Sequence, residues 1–154
     1  MSSSPEDRLR ELGLELPTAP KPVASYVPSV RVGSLVYVSG QVPIAGGKPV
    51  ATGTVPGEVP METAIACARL CTLNGLAVLK AEIGDLGRVK RVVRVGCFVA
   101  CGAGFGEQPK VANGASDLLV EVFGEAGRHA RAAVGCPALP LEVPVEIEFL
   151  FEVE

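Results

Sequence analysis

The last residues of the chain alternate between apolar and polar side chains. The odd positions of residues 145–153 are all apolar, whereas the even positions are mostly glutamate. A period of two places successive side chains on opposite faces of a β-strand. The pattern therefore predicts a strand over residues 143–154 with one apolar and one largely acidic face.

Two segments repeat apolar side chains at steps of three and four, which predicts α-helices. The first covers residues 62–83, and Gly84 is expected to end it, because glycine is common directly after a helix. Its opposite side is also weakly polar, so we expect the helix to be largely covered. The second covers residues 109–124. The apolar positions are Ile65, Ala68, Thr72, Leu76, Leu79 and Ile83 in the first helix, and Val111, Leu118, Leu119, Val122 and Phe123 in the second.

The other segments complete the pattern of an α+β fold. Residues rich in β-branched side chains predict two strands within 24–44, joined by a Gly33-Ser34 turn, and further strands over 88–100 and 130–135. We also predict a short helix over 5–14, extended chain over 17–23, and a loop with one short strand over 45–61. This order favours a mixed β-sheet with two main helices on one face. The length indicates a single domain over residues 1–154, with 1–21 as an N-terminal extension.

Composition narrows the classes of partner. Apolar residues make up 48% of the chain, charged residues 20%, and the net charge is −3 with only seven aromatic residues. Nucleic-acid surfaces normally need basic patches and stacking aromatics, so we expect no nucleic-acid partner. The start of the chain has no apolar run, and no stretch is expected to approach the roughly 20 apolar residues of a membrane span. We therefore expect no membrane partner and a cytoplasmic location. The high apolar fraction also suggests large surfaces buried between subunits.

Metal and cofactor sites are not indicated by the sequence. Five cysteines, at positions 67, 71, 97, 101 and 136, lack the spacing of zinc or redox motifs, and His129 is the one histidine. We expect free thiols and no metal. Gly102–Gly106 resembles a phosphate loop in composition but lacks the strand–turn–helix context, so an irregular loop is the better interpretation. No bound cofactor is predicted.

Arg131 is the best candidate for a ligand-binding residue. It is surrounded by small residues at the start of a predicted strand and has no acidic neighbour in the sequence. One interpretation is an ion pair with a glutamate of the C-terminal strand; the other is a guanidinium fork for a carboxylate or phosphate. Glu146 and Glu148 form either a solvated strand face or a positioned base near Arg131. His129 should share a face with Arg131 on a continuous strand, although a packed or surface histidine without a chemical role is the more ordinary interpretation.

Three blocks of the sequence resemble the Rid (reactive intermediate deaminase) or YjgF-like family, including members labelled endoribonuclease L-PSP-like. The first block runs from Tyr26 to the Ser39-Gly40-Gln-Val-Pro segment. The second is Ala68-Arg69 with Asn74. The third is Arg131-Ala-Ala-Val followed by Leu139-Pro140 and Val145-Glu146-Ile-Glu. The resemblance covers roughly residues 22–152.

The resemblance implies a chorismate mutase-like fold and a homotrimer with clefts between subunits. It implies that Arg131 binds a substrate carboxylate and that Glu146 positions a water. It also implies that Tyr26, Ser39 and Gly40 line the cleft. Many members hydrolyse 2-imino or 2-enamino acids to 2-keto acids and ammonia without a cofactor.

The chain departs from the best-studied branch at several positions. Deaminating members often carry cysteine two residues after the arginine, where this chain has Ala133, and the segments around Asn113 and His129 differ as well. Three hypotheses remain. The first is an imine or enamine deaminase, and the second is a non-catalytic binder of small carboxylates that uses the same cleft. The third is an endoribonuclease, which the acidic charge and single histidine disfavour.

Overall fold

The fold is a five-stranded mixed sheet with two long helices on one face. In the computed structural model, which describes residues 2–19 and 24–154, the helices are α1 (Pro5–Glu11), α2 (Met61–Ile83) and α3 (Gln108–Phe123). The strands are β1 (Ser29–Val32), β2 (Leu35–Gln41), β3 (Ile44–Ala45), β4 (Lys48–Pro49), β5 (Val89–Ala100), β6 (Ala130–Cys136) and β7 (Val145–Val153). The predicted α+β class is confirmed.

The sheet has the order β1-β2-β7-β5-β6. Only the β5–β6 pair is parallel; the other neighbours are antiparallel. The last strand, β7, therefore lies at the centre of the sheet, and β6 forms an edge. This order separates β2 from β6 by two strands, which decides where the candidate site residues lie.

The C-terminal alternation determines how the sheet meets the helices. The five apolar residues of β7 at odd positions are buried against α2, whereas the even positions are partly exposed on the other face. Gly75 allows the close approach of α2, because a Cβ there would lie 2.6 Å from the Phe149 ring. These five side chains form the β7 part of the hydrophobic core, which also takes in buried residues of α2, α3, β2 and β5.

Helix α2 is buried on most sides, as its weakly polar opposite face predicted. Every residue from Cys71 to Leu79 is buried between the sheet and α3, and Gly84 ends the helix with a φ of 87°. By length and composition this helix could cross a membrane, contrary to our expectation that no stretch would reach that limit. However, 67% of its most apolar window is buried inside the fold, as in the core helix of a globular protein.

The segment after β2 differs from the prediction of one short strand. It forms a two-stranded hairpin of β3 and β4, in which Ile44 pairs with Pro49. Gly46 and Gly47 both have positive φ, at 60° and 80°, which is the requirement of a type I′ turn. Near the N-terminus, α1 ends at Glu11, before the predicted limit of 14. Residues 20–23 of the predicted extended segment lie outside the described residues.

Candidate functional site

A cavity of about 750 Å³ lies beside the end of β2, and both Glu146 of β7 and Asn74 of helix α2 reach its wall. It is lined mainly by backbone and apolar groups of the segments that flank the β1–β2 hairpin, of the β3–β4 hairpin and of the turn before β7. Four of the residues proposed from the sequence lie in its wall: Tyr26, Ser39, Gly40 and Glu146. Glu146 is more than 100 residues away from the other three along the chain, and the pairing of β2 with β7 brings it beside them.

Ser39 fixes the segment that carries Tyr26. Its Oγ donates a hydrogen bond to the Val27 carbonyl at 2.8 Å, and its backbone N–H donates to the Pro28 carbonyl at 2.9 Å. These bonds hold the chain before β1 against β2. The Tyr26 side chain is 56% exposed at the cavity wall, so its ring is available to a ligand.

Glu146 lies directly against Gly40. A Cβ at position 40 would be 2.6 Å from Glu146 Oε1, so this packing requires a glycine. The carboxylate is half-buried and forms no hydrogen bond or ion pair within the part of the chain that the structure describes. Burial raises the pKa of Glu146, and the neighbouring Glu148 carboxylate raises it further. The site therefore contains a carboxylate with unused acceptor atoms and an increased affinity for a proton.

Asn74 is a cavity residue to which the sequence gave no role, although it belongs to the second resembling block. Its Nδ2 donates to the carbonyls of Val42 at 3.0 Å and Ile44 at 3.2 Å, which ties the loop after β2 to helix α2. The signal was present, because Asn74 is one of two polar side chains in the fully buried stretch of α2. Gln41 is likewise buried at the cavity and donates to the Ser39 carbonyl at 2.9 Å.

Arg131 does not lie in this cavity. It occupies the edge strand β6 opposite Val95 of β5, and its side chain turns to the helix face of the sheet. Of the two interpretations of Arg131, the ion pair with a C-terminal glutamate is not formed within one chain: Arg131 pairs with no carboxylate of the described residues, and Arg94 Nη1 instead donates to Glu148 Oε1 at 3.1 Å. The idea of a base beside Arg131 within one chain is also wrong, because Glu146 points to the opposite face.

Helix α3 holds the Arg131 side chain. Its Nη1 donates to Asn113 Oδ1 at 2.8 Å and to Ser116 Oγ at 3.1 Å. His129 lies on the same face as Arg131, as predicted, and its Nε2 is 2.9 Å from Ser116 Oγ. Ala133, also on this face, packs against the core. The Arg131 guanidinium is exposed, so its remaining N–H groups are accessible to an anion.

The cysteines do not form a second polar site. All five are free, as predicted, and four are buried. Burial raises the pKa of Cys97 to about 12, although the nearby Arg131 opposes that rise, so this thiol stays protonated. Over residues 2–19 and 24–154, no group of three or more His, Cys, Asp or Glu side chains could hold a metal ion.

Comparison with known proteins finds two relatives that are similar in sequence and one solved structure that is similar in fold. Protein TCP17 of Trypanosoma cruzi is 44% identical over 94% of this chain and 91% of its own length. A 2-iminobutanoate/2-iminopropanoate deaminase of Dermatophagoides farinae is 31% identical over 92% of this chain and 95% of its own. A crystal structure described as a putative endoribonuclease, from Shewanella oneidensis MR-1, superposes with a TM-score of 0.94 at 38% identity, covering 98% of this chain and 100% of that one.

Family membership rests on nearly the whole chain. Residues 6–153 match the family described as "YjgF/chorismate mutase-like, putative endoribonuclease". The match includes both the residues that line the cavity and strand β6, which carries Arg131. The mixed sheet and its helices agree with the solved relatives. The chain belongs to the YjgF/chorismate mutase-like family, as the three resembling blocks predicted.

Proposed function

We propose that the protein is a hydrolytic deaminase that converts small 2-imino or 2-enamino acids into 2-keto acids and ammonia. The observation that carries this proposal is the Glu146 carboxylate: it lines the cavity, has unused acceptor atoms and has a raised pKa. A carboxylate with these properties can orient a water and accept its proton. The Dermatophagoides relative, whose name specifies 2-imino acid deamination, supports the same reaction.

The reaction needs one carboxylate that accepts and returns a proton, and one cationic side chain that holds the substrate's own carboxylate, here called the clamp. The water oxygen adds to the carbon of the protonated C=N group, the π electrons move to nitrogen, and Glu146 takes a proton from the water. Glu146 then returns the proton to the nitrogen of the tetrahedral intermediate. The C–N bond breaks, ammonia leaves, and the remaining hydroxyl loses its proton to give the keto group. Because the protonated imine is already electrophilic, positioning supplies much of the acceleration.

Arg131 is the proposed carboxylate clamp, and its placement requires a second subunit. Within one chain Arg131 and Glu146 lie on opposite faces of the sheet, on strands that are not neighbours. We infer that Arg131 of one subunit faces the cavity of the adjacent subunit. The planar guanidinium can bind both carboxylate oxygens, which also fixes the imine carbon relative to the water.

The sheet supports this assembly. On the face away from the helices it exposes large apolar side chains from β1, β2 and β6: Val30, Val32, Tyr37 and Val134, each between 46% and 61% exposed. Monomeric proteins rarely leave such a patch in water, so we propose that it is covered by further copies of the chain. A homotrimer, the state that the family resemblance implies, is the proposed assembly.

A second function is favoured by one residue. Position 133, two residues from Arg131, carries alanine, so this position offers no thiol or other reactive side chain on the strand that carries the clamp. A protein that only binds small carboxylates or keto acids would need Arg131 and the cavity but not the proton transfer at Glu146.

Turnover separates the two functions. A 2-imino acid is generated from its amino acid by an amino acid oxidase, and semicarbazide traps the imine that escapes hydrolysis. The wild-type protein is expected to reduce trapping. Glu146→Gln should lower kcat about a hundredfold or more, in keeping with general-base contributions, while it still binds pyruvate. Normal pyruvate binding without any acceleration by the wild-type protein would instead establish the binding function.

A further inference from the structure

The Arg131 guanidinium is fixed by two neutral groups on α3. Asn113 and Ser116 are three residues apart, which places them on one face of the helix, and both accept from Arg131 Nη1. The two bonds occupy that nitrogen. Nη2 and Nε have no partner among residues 2–19 and 24–154, so a two-point contact with a carboxylate remains available.

The direction of the hydrogen bonds follows from His129. Its Nδ1 is 2.6 Å from the Gly127 carbonyl, which can only accept, so Nδ1 carries a proton. Burial lowers the pKa of His129, and the positive charge of Arg131 lowers it further, while the bond to Gly127 opposes the change. The ring is therefore neutral near pH 7, and its Nε2 carries no proton and can accept a hydrogen bond.

A neutral His129 determines how Ser116 is oriented. Since Nε2 can only accept, the Ser116 hydroxyl donates its proton to the ring across 2.9 Å. The oxygen lone pairs of Ser116 then remain for Arg131 Nη1 at 3.1 Å. The chain of bonds runs from Arg131 through Ser116 and His129 to a backbone carbonyl.

The far end of this chain is rigid. Gly127 packs so closely on α3 that a Cβ there would lie 2.2 Å from the Leu119 carbonyl oxygen. The carbonyl that anchors His129 therefore belongs to a segment packed on the helix that carries Asn113 and Ser116. Arg131 Nη1 is therefore held by neutral groups of a closely packed unit, and not by an acidic partner.

We propose that Asn113, Ser116 and His129 are positioning residues that hold the Arg131 guanidinium in the orientation that binds the substrate carboxylate. The inference rests on the proposed function of Arg131. Neutral partners suit this role, because an acidic partner would compete with the ligand for the same charge, whereas an amide and a hydroxyl orient the fork without neutralising it. The arrangement also reduces the rotamer freedom that ligand binding has to remove.

The test uses Ser116→Ala and Asn113→Ala, with Asp117→Ala as the matched control on the same helix. Pyruvate affinity is measured by calorimetry, and kcat and KM are measured with the generated imine. Loss of a neutral hydrogen bond should weaken pyruvate binding about three- to tenfold and raise KM more than it lowers kcat. Asp117→Ala should behave as the wild type, and the melting temperature and assembly should not change.

Two spectroscopic results add readouts that a purely structural role would not affect. The ¹⁵N shifts of His129 should show a proton on Nδ1 and none on Nε2. The guanidinium signals of Arg131 should be resolved in the wild type and averaged by rotation in Ser116→Ala. If Ser116→Ala unfolds, Asn113→Ala makes the same test, because the Asn113 side chain is exposed.

The outcomes distinguish this inference from the proposed function. If Arg131→Ala abolishes pyruvate binding while Ser116→Ala and Asn113→Ala bind as the wild type, the positioning role is wrong and the clamp stands. If Arg131→Ala itself binds pyruvate normally, the clamp is wrong and the positioning role falls with it. An Nε2-protonated His129 would overturn the proposed direction of the bonds.

Discussion

Replacing Gly40 by alanine tests whether Glu146 must occupy one defined position. The new Cβ would lie 2.6 Å from Glu146 Oε1, 3.1 Å from its Cδ and 3.3 Å from its Cγ. Ordinary contact begins at 3.4 Å, so the nearest carboxylate oxygen has to move by about 0.8 Å. A displacement of about 1 Å at a reacting group can cost about a hundredfold in rate. We therefore expect Gly40→Ala to lower kcat about ten- to a hundredfold.

Stability should respond much less than turnover. The clash involves the end of a half-buried side chain that can rotate, not the backbone, so the free energy of unfolding should change by only about 0.5 kcal/mol. Gly106→Ala is the matched control, because a Cβ there would meet no atom within 4 Å and φ lies outside the left-handed region.

The assay compares imine hydrolysis and pyruvate binding in the wild type and both variants. Reduced kcat with retained binding in Gly40→Ala, and wild-type behaviour in Gly106→Ala, is the expected result. A Gly40→Ala protein that hydrolyses the imine at the wild-type rate would refute the reasoning, since Glu146 would then need no fixed position to act.

Four further expectations concern the clamp, the histidine, the assembly and metals. Arg131→Ala and Arg131→Lys should each weaken pyruvate binding about ten- to a hundredfold by calorimetry, because lysine keeps the charge but loses the planar fork. The pKa of His129 is lower in the folded protein than the value of about 6.5 expected for the unfolded chain. The stability that neutral His129 contributes is therefore complete above about pH 6.5 and is lost as the pH falls toward the pKa of the folded protein. His129→Gln should flatten that part of the curve of melting temperature against pH. Val134→Asp should dissociate the assembly to monomers in light scattering, because it places a charge on the apolar sheet face. Imine hydrolysis should persist in EDTA; loss of activity that one metal restores would contradict this.

The strands and helices were predictable where one face of an element is buried. In β7 the strict alternation from Val145 to Val153 directly reflects a sheet with helices on one side only. The length of α2 followed from its apolar repeat and from Gly84. The β3–β4 hairpin was harder, since each of its strands has two residues and no periodicity can be read from them; the adjacent Gly46 and Gly47 were the available signal.

The position of Arg131 relative to Glu146 could not be derived from the sequence. The two residues are 15 positions apart on consecutive strands, which suggests a direct pairing. Strand β6 instead pairs in parallel with β5, and β7 lies on the other side of β5. Periodicity tells which residues of one strand share a face, but it does not tell which strand is the neighbour. Asn113 and Ser116 were missed for the same reason, because their contact with Arg131 crosses from α3 to the sheet.

The hydrogen bonds and the lowered pKa of His129 bear on the choice between imine hydrolysis and RNA cleavage. A nuclease that acts through general acid and base chemistry benefits from a histidine that can exchange protons near neutral pH. His129 is the one histidine of the chain, both ring nitrogens are engaged, and its pKa is lowered. The net charge of −3 also opposes a phosphate backbone. Imine hydrolysis makes smaller demands. The substrate carries its own activated carbon, Arg131 can bind its carboxylate, and Glu146 can accept the proton that the water loses as it attacks. The groups present in this protein therefore suit the deaminase reaction better than the nuclease activity for which the family is described.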